Sequence, residues 1–314
     1  MGGYIIRRLL WIPVILVVVS AVTFTLTRYV PGDPVELRTQ GRASPEAVER
    51  VRQQLDLDKP KPVQFAKYMV GFVQGDMGES IVRYPGVPVW DLIRERIWIT
   101  AQLNLAAIAL VAFLGVAAGS VAARNVGTWK DPATISMLLL FQSIPTVVFI
   151  PLLLYLFVIQ LHWLPAAGWN GLFSVHIIIP LLAMVLPSLA GVARLTRISL
   201  LQTMGQDWVR TARAKGLPER NVFFRHIFRP ALLPLNTQLG IALFTIFSGS
   251  VFVELLYGIP GMGRLALDAV FQRDYDIIMA VFLITTIPYL IGLLAVDLLY
   301  TLIDPRIRLG QSER

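Results

Sequence analysis

The side chains able to do chemistry in this sequence are few and unevenly placed. Three histidines, His162, His176 and His226, lie far apart without ligand-like spacing, and cysteine is absent, which disfavours a metal site and rules out a disulfide. No Ser–His–Asp set and no pair of carboxylates sharing a spacing or a face can be assembled, which argues against a membrane hydrolase. A Gly-x-x-x-x-Gly-Lys-Ser/Thr phosphate loop is missing too, so ATP has no evident seat on the chain. What remains is one strongly polar interval, Ile198 to Pro234, reading ISLLQTMGQDWVRTARAKGLPERNVFFRHIFRPALLP and carrying Arg210, Arg213, Lys215, Arg220, Arg225 and Arg229. Its chemistry is that of contact, in which guanidinium groups and small residues meet a neighbouring surface, and no bond is made or broken.

Two short helices must position these groups. Asp207 is placed to cap a helix from about Trp208 to Lys215, Gly216 to end it in a left-handed turn, and Pro218 to forbid its simple continuation. A second helix is expected to start near Glu219. Thr211, Ala212, Ala214, Gly216 and Leu217 are the expected contact surface, because small residues let another protein approach closely. The plain alternative is a solvated basic loop of a polytopic membrane protein.

The chain of 314 residues is 55% hydrophobic and 15% charged. With a mean hydropathy of +0.64 it is too apolar for a soluble domain. An all-α polytopic membrane protein is expected, with six transmembrane helices near 9–26, 98–123, 133–159, 177–196, 235–256 and 277–303, each close to the ~20 residues of a crossing. Residues 1–28 read as a cytoplasmic N-terminus and first span, retained because the apolar stretch is long for a signal core and lacks a small-x-small cleavage pair. Residues 29–97 form a small folded extracellular insertion between the first and second spans. In it Ser44 caps a helix begun by Pro45, an amphipathic segment runs from Phe65 to Val73, and the turn Gly75-Asp-Met-Gly78 follows. Residues 98–303 form a five-span core that includes loop 198–234, and 304–314 a cytoplasmic tail.

Gly115 and Gly119 make a Gly-x-x-x-Gly step that invites close helix approach. Pro145, Pro151, Pro187 and Pro288 can kink their helices. Arg7, Arg8, Arg124, Lys130, the central loop, Arg306 and Arg308 fall on one side of the membrane, whereas residues 160–176 hold no Lys or Arg, so both termini are expected to be cytoplasmic. The net charge of +8 is explained by orientation and lipid headgroups, with no nucleic-acid partner. Neutral side chains that could line a path are Gln102, Asn104, Gln142, Ser143, Asn236, Gln238, Thr245 and Ser248, all equally able to serve as interhelical hydrogen-bonding groups. Asp297 is the carboxylate most clearly inside an apolar run and is read as a structural partner of a loop arginine.

The run Arg210-Thr-Ala-Arg-Ala-Lys-Gly216, with His226, Arg229 and Leu233-Pro234, resembles the cytoplasmic signature of the permease subunits of binding-protein-dependent ABC importers, in the wording of the dipeptide, oligopeptide and nickel branch. The general Glu-Ala-Ala form is altered: Arg210 stands at the glutamate position, Thr211 at the first alanine and Ala212 at the second, while Gly216 matches. Pro31-Gly-Asp-Pro34, Gly258-Ile-Pro-Gly-Met-Gly263 and the closing Asp297 to Arg308 also match the family's wording, so the resemblance covers nearly the whole chain.

The resemblance implies a type I ABC importer permease fold in a bacterial or archaeal plasma membrane. It implies a second homologous permease, two ATP-binding cassette ATPases that carry ATP and Mg, an extracellular substrate-binding protein, and a bilayer around the spans. It leaves this chain without a cofactor or metal of its own and gives Asp207, Arg210, Thr211, Ala212, Ala214, Lys215, Gly216 and Leu217 the contact with an ATPase. The competing class is a secondary carrier driven by an ion gradient, which would use intramembrane carboxylates and an inverted repeat.

Overall fold

The computed structural model describes residues 2–29, 35, 38, 44–244, 246–248 and 250–303. Pro31 to Pro34, Thr245, Arg306 and Arg308 lie outside the described residues, as does the side chain of Asp297. The described residues contain no strand, only an isolated antiparallel bridge between Glu79 and Pro88. Their helices are α1 (Gly2–Tyr29), α2 (Pro45–Gln54), α3 (Lys61–Gln74), α4 (Val89–Arg124), α5 (Lys130–Gln142), α6 (Thr146–Leu154), α7 (Ile178–Met204), α8 (Asp207–Ala214), α9 (Leu233–Phe244), α10 (Val251–Tyr257), α11 (Met262–Gln272) and α12 (Tyr275–Ile303). A π-helical stretch, Tyr155–Gln160, continues α6. Between α8 and α9 the chain runs through Glu219–Asn221, a π-helical Val222–Phe228 and Arg229–Ala231.

Among the described residues four helices are long and apolar enough to cross a membrane: Leu9–Arg28, Val89–Arg124, Val175–Met204 and Tyr275–Ala295. A fifth crossing requires α5 and α6 with its π extension to act together, although they are bent by 94°. Pro145 stands at that bend and Pro151 lies just before the π stretch, whereas Pro187 and Pro288 sit inside unbroken helices. The expected span 235–256 is not one helix. Its α9 has 12 residues, about 18 Å at ~1.5 Å per residue and short of the ~30 Å apolar core. Helicity resumes only at Val251. The expected second span starts earlier than 98, because α4 is one helix of 36 residues from Val89.

The chain divides into two compact units, the first made of residues 1–101, 247–251 and 260–314, the second of 102–246 and 252–259. In the first, Val89 and Ile93 at the start of α4 pack with Met262, Leu265 and Ala269 of α11 and with Ile277, Ala280 and Val281 of α12. The insertion is a folded part of this unit. Ser44 accepts from Ala47 N at 3.3 Å to cap α2, and Gly75 ends α3 at φ 88°. The Asp274 carboxylate, buried to 0% exposure, accepts from Ser80 Oγ at 2.6 Å and from the amides of Ile81, Val82 and Arg83, each at 3.1 Å.

In the second unit α7 packs on α5 and α6, and its Val185, Leu189 and Val192 share a core with Ala107, Val111 and Leu235. Gly115 and Gly119 of α4 face the same helix. A Cβ at Gly115 would meet the Val192 side chain at 2.8 Å, and one at Gly119 would meet the Ala193 carbonyl oxygen at 2.4 Å.

Candidate functional site

Helix α8 has 8 residues, fewer than the ~12–15 an isolated helix needs, so packing must hold it. Val209 and Ala212, three residues apart, supply that packing on one face. They are buried against Ala123, Leu200, Val222, Phe223, Ile227 and Ala231. The loop is thus seated on α4 and α7 by an apolar foot. Trp208 Nε1 also donates to the His226 carbonyl at 3.3 Å. Arg213 grips Glu219 through Nε at 3.2 Å and Nη2 at 2.8 Å, which closes the turn from outside. Those hydrogen bonds hold the Glu219 carboxyl below its usual range, though the pair is exposed and adds little stability.

Two expectations are corrected here. Asp207 does not cap α8: it is the first helical residue, Gln206 precedes it without a side-chain cap bond, and the Asp207 carboxylate pairs with Arg210 at 3.4 Å. The helix begins one residue earlier than the capping pattern implies. Ala212 is not on the outer surface either, because at 5% exposure it belongs to the foot. Thr211, Ala214, Lys215, Gly216 and Leu217 are exposed, together with Arg210 and with Trp208 at 51% exposure. Gly216 has φ 73°, the left-handed conformation that a side chain disfavours, and its amide donates to the Arg213 carbonyl at 2.9 Å. The exposed side of this turn is thus basic and made mostly of small residues, with one large indole.

The neutral residues of the expected path are not brought together. Asn104 and Gln238 line one cavity of about 250 Å³ with Met184 and Ser188. Asn236 lines another of about 600 Å³, walled by Phe223, Phe224 and Phe228. Asn104 Nδ2 donates to the Ile246 carbonyl at 2.6 Å, tying α4 to the turn that follows α9. Gln102, Gln142, Ser143 and Ser248 are exposed and line neither cavity, and Ser143 Oγ donates back to Leu139 O at 2.8 Å.

A polar contact that the sequence reading missed is stronger. Arg197, inside α7, clasps Asp131 at the start of α5 through Nε and Nη2, both at 2.6 Å, and the aspartate side chain is 8% exposed. An arginine in an apolar run is a visible signal. Its partner, 66 residues away, carries no such mark. Glu254, inside the expected span 235–256, is fully buried in α10.

Residues 115–309 match the family model described as "Binding-protein-dependent transport system inner membrane component", and residues 1–104 match the model of its N-terminal part. The chain is 36% identical to the "Probable peptide ABC transporter permease protein y4tP" of Sinorhizobium fredii, over 98% of this chain and 100% of that protein. It is 35% identical to the "Oligopeptide transport system permease protein OppB" of Escherichia coli K12, over 97% of this chain and 99% of that one. It is also 35% identical to the "Oligopeptide transport system permease protein AppB" of Bacillus subtilis, over 98% and 99%. In fold it is similar to the MetNI methionine ABC transporter in an inward-facing form, with a TM-score of 0.54 at 16% identity over 68% of this chain and 96% of that chain. A solved amino acid ABC transporter gives a TM-score of 0.50 at 18% identity over 69% and 94%. On these matches the chain belongs to the inner-membrane components of binding-protein-dependent transport systems, as a non-catalytic permease of the peptide ABC transporter kind.

Proposed function

We propose that this chain is one of two similar permease subunits of an ATP-driven importer for peptides or a related small solute. Two ATP-binding cassette ATPases, which carry ATP and Mg, drive it through the 207–218 loop helix, and an extracellular binding protein delivers the solute. The observation that carries this reading is the construction of α8: an apolar foot of Val209 and Ala212 inside, a basic face of small residues outside. The family match supports the partners. Six crossings are proposed, the bent α5–α6 pair serving as one and the α9–α10 segment as another. Both termini and loop 198–234 are then cytoplasmic, and 29–97 extracellular, in a bacterial or archaeal plasma membrane.

Copurification tests the assembly: ATPase subunits should come down with the chain, and their absence would favour a carrier driven by an ion gradient. Gly216→Glu should leave the chain in the membrane yet lower peptide uptake by at least about tenfold. A side chain at positive φ costs roughly 1 kcal/mol, and the carboxylate would stand on the basic docking face. Uptake and ATPase assembly equal to those of the parent would remove the site from consideration. For sidedness, a cysteine at Gln54 should react with an impermeant thiol reagent in intact cells and one at Glu219 should not.

With the expected neutral residues divided between separate cavities and exposed positions, we read the permease as a conduit that passes a solute without holding it tightly, the binding protein choosing among substrates. Direct titration of the permease–ATPase complex without its binding protein should then give weak affinity. A constant as tight as that of the binding protein alone would contradict this.

A further inference from the structure

Within the first unit α1 and α12 lie side by side, and between them runs an apolar groove of about 630 Å³ that none of the expected functional residues lines. Val18, Val22 and Leu26 line it from α1 at the four-residue spacing of one helix face, and Ile278 and Phe282 line it from α12. Val22 and Leu26 are 54% and 65% exposed, so the groove is open along its outer side. Its threonines offer no donor to a ligand. Thr23 and Thr27 return their hydroxyl hydrogens to the carbonyls of Val19 and Thr23, each at 2.9 Å.

The depth of the groove follows from the two spans that form it. Leu9–Arg28 has 20 residues, about 30 Å at ~1.5 Å per residue, which equals the ~30 Å apolar core. Tyr275 opens the span Tyr275–Ala295, and the Arg28 guanidinium lies over its ring, 4.8 Å from the centroid, so both residues mark the same edge of the hydrocarbon. From Val18 to Thr27 the lining of α1 covers about 14 Å from that edge, the thickness of one leaflet. Arg273, which also lines the groove, stands two residues outside the edge, at the depth of lipid phosphates. It ends α11 at φ 57°, a conformation that favours glycine, yet it carries a guanidinium. Among the described residues Arg273 pairs with no carboxylate, because those near it in sequence are committed elsewhere. Asp268 meets Arg83 at 3.2 Å, Asp276 meets Arg28 at 3.8 Å, and Asp274 holds Ser80 and the amides of the insertion.

We propose that this groove holds one anionic phospholipid of the surrounding bilayer, an acyl chain lying between α1 and α12 and the headgroup phosphate on the Arg273 guanidinium. The two halves of the site match the two halves of the ligand: an apolar trough one leaflet deep, and an uncompensated cation at its mouth whose planar fork suits phosphate oxygens. With the neighbouring carboxylates committed, no anion is left beside Arg273 for the cationic part of a zwitterionic headgroup. So seated, the lipid ties the first helix to the turn between α11 and α12. The site requires a bilayer and is independent of which solute is carried.

The full-length chain is purified in mild detergent, and its bound lipids are counted by native mass spectrometry during titration with dioleoylphosphatidylglycerol or dioleoylphosphatidylcholine. The anionic lipid should bind on the order of tenfold more tightly, the worth of one charge-assisted hydrogen bond. Arg273→Gly should abolish that preference. Glycine is at ease at φ 57°, so the turn is kept and the loss reads the guanidinium alone. Val22→Phe, which fills the exposed groove and leaves the cation in place, should lower the occupancy of both lipids alike. Equal affinity of the parent for the two lipids, or binding of the anionic lipid that is indifferent to either substitution, overturns the proposal. In membranes, a benzophenone side chain placed at position 22 should capture phospholipid on illumination. Capture of a second protein chain there in its place makes the groove a subunit interface and overturns the proposal as well.

Discussion

Asp274→Ala is expected to release the insertion, proposed above to be extracellular, from its unit while the chain stays in the membrane. The carboxylate is fully buried and gathers four donors, one hydroxyl and three consecutive amides, onto the turn between α11 and α12. Removing it leaves buried N–H groups with no acceptor, a cost on the order of 4 kcal/mol when hydrogen bonds to a charged group are lost together. The effect should be local first, because Val89, Ile93, Met262 and Leu265 still hold the helices beneath. Limited proteolysis of right-side-out vesicles should therefore cut within residues 76–88 of the variant at a protease dose that leaves the parent intact. Identical protection of the two proteins would show that the apolar contacts alone hold the insertion down. Asp274→Asn should lie between them, since an amide keeps one acceptor and turns a donor toward the other amides.

Gly119→Ala, the addition of a single methyl group, should destabilise the chain more than Gly115→Ala does. At Gly119 the new Cβ would lie 2.4 Å from the backbone oxygen of Ala193 and 2.6 Å from Thr196 Cβ. Neither can rotate away, since one belongs to the helix backbone and the other is the root of its side chain, so α4 and α7 must move apart. Overpacking of this kind costs at least about 3 kcal/mol. At Gly115 the obstacles are Val192 Cβ and Cγ1, both at 2.8 Å; that Cβ is fixed as well, but the overlap is smaller and the nearest backbone atom lies at 3.6 Å, so the cost is nearer about 1–2 kcal/mol. Melting temperatures in detergent should fall in that order, with Gly119→Leu failing to accumulate in the membrane. Two alanine variants of equal stability would mean that the helices are not held at this separation.

The periodic features of this fold were legible and the long-range polar ones were not. Ser44 followed by Pro45 announces α2, Gly216 announces the left-handed end of the turn after α8, and Gly115 with Gly119 announces a close helix crossing. Each signal is complete within a few residues. Asp207 misled because the same residue types favour the cap and the first turn, and only φ/ψ at Gln206 separates the two. Ala212 misled because smallness suits a docking face and a packed foot equally, and its burial depends on Val222 and Ile227, which the loop brings back from downstream. Asp274 and Asp131 gave no local sign at all, since their partners lie 191 to 194 and 66 residues away. The expected span 235–256 gave no sign of its interruption: apolar enough on average to read as one helix, it is two, the first ending at Phe244 and the second starting at Val251.

The 94° bend between α5 and α6 governs the address of everything after it. Each apolar segment that traverses the bilayer inverts the side of the next loop, and one that doubles back preserves it, so sidedness is an odd-or-even count. Between Gln54 and Glu219 the chain passes through α4, the bent pair and α7. Three traversals put those two residues on opposite faces, and two put them on the same face. The paired cysteine labels thus read the parity of one hairpin, and a single proline-bearing corner decides whether the basic loop meets the cytoplasm.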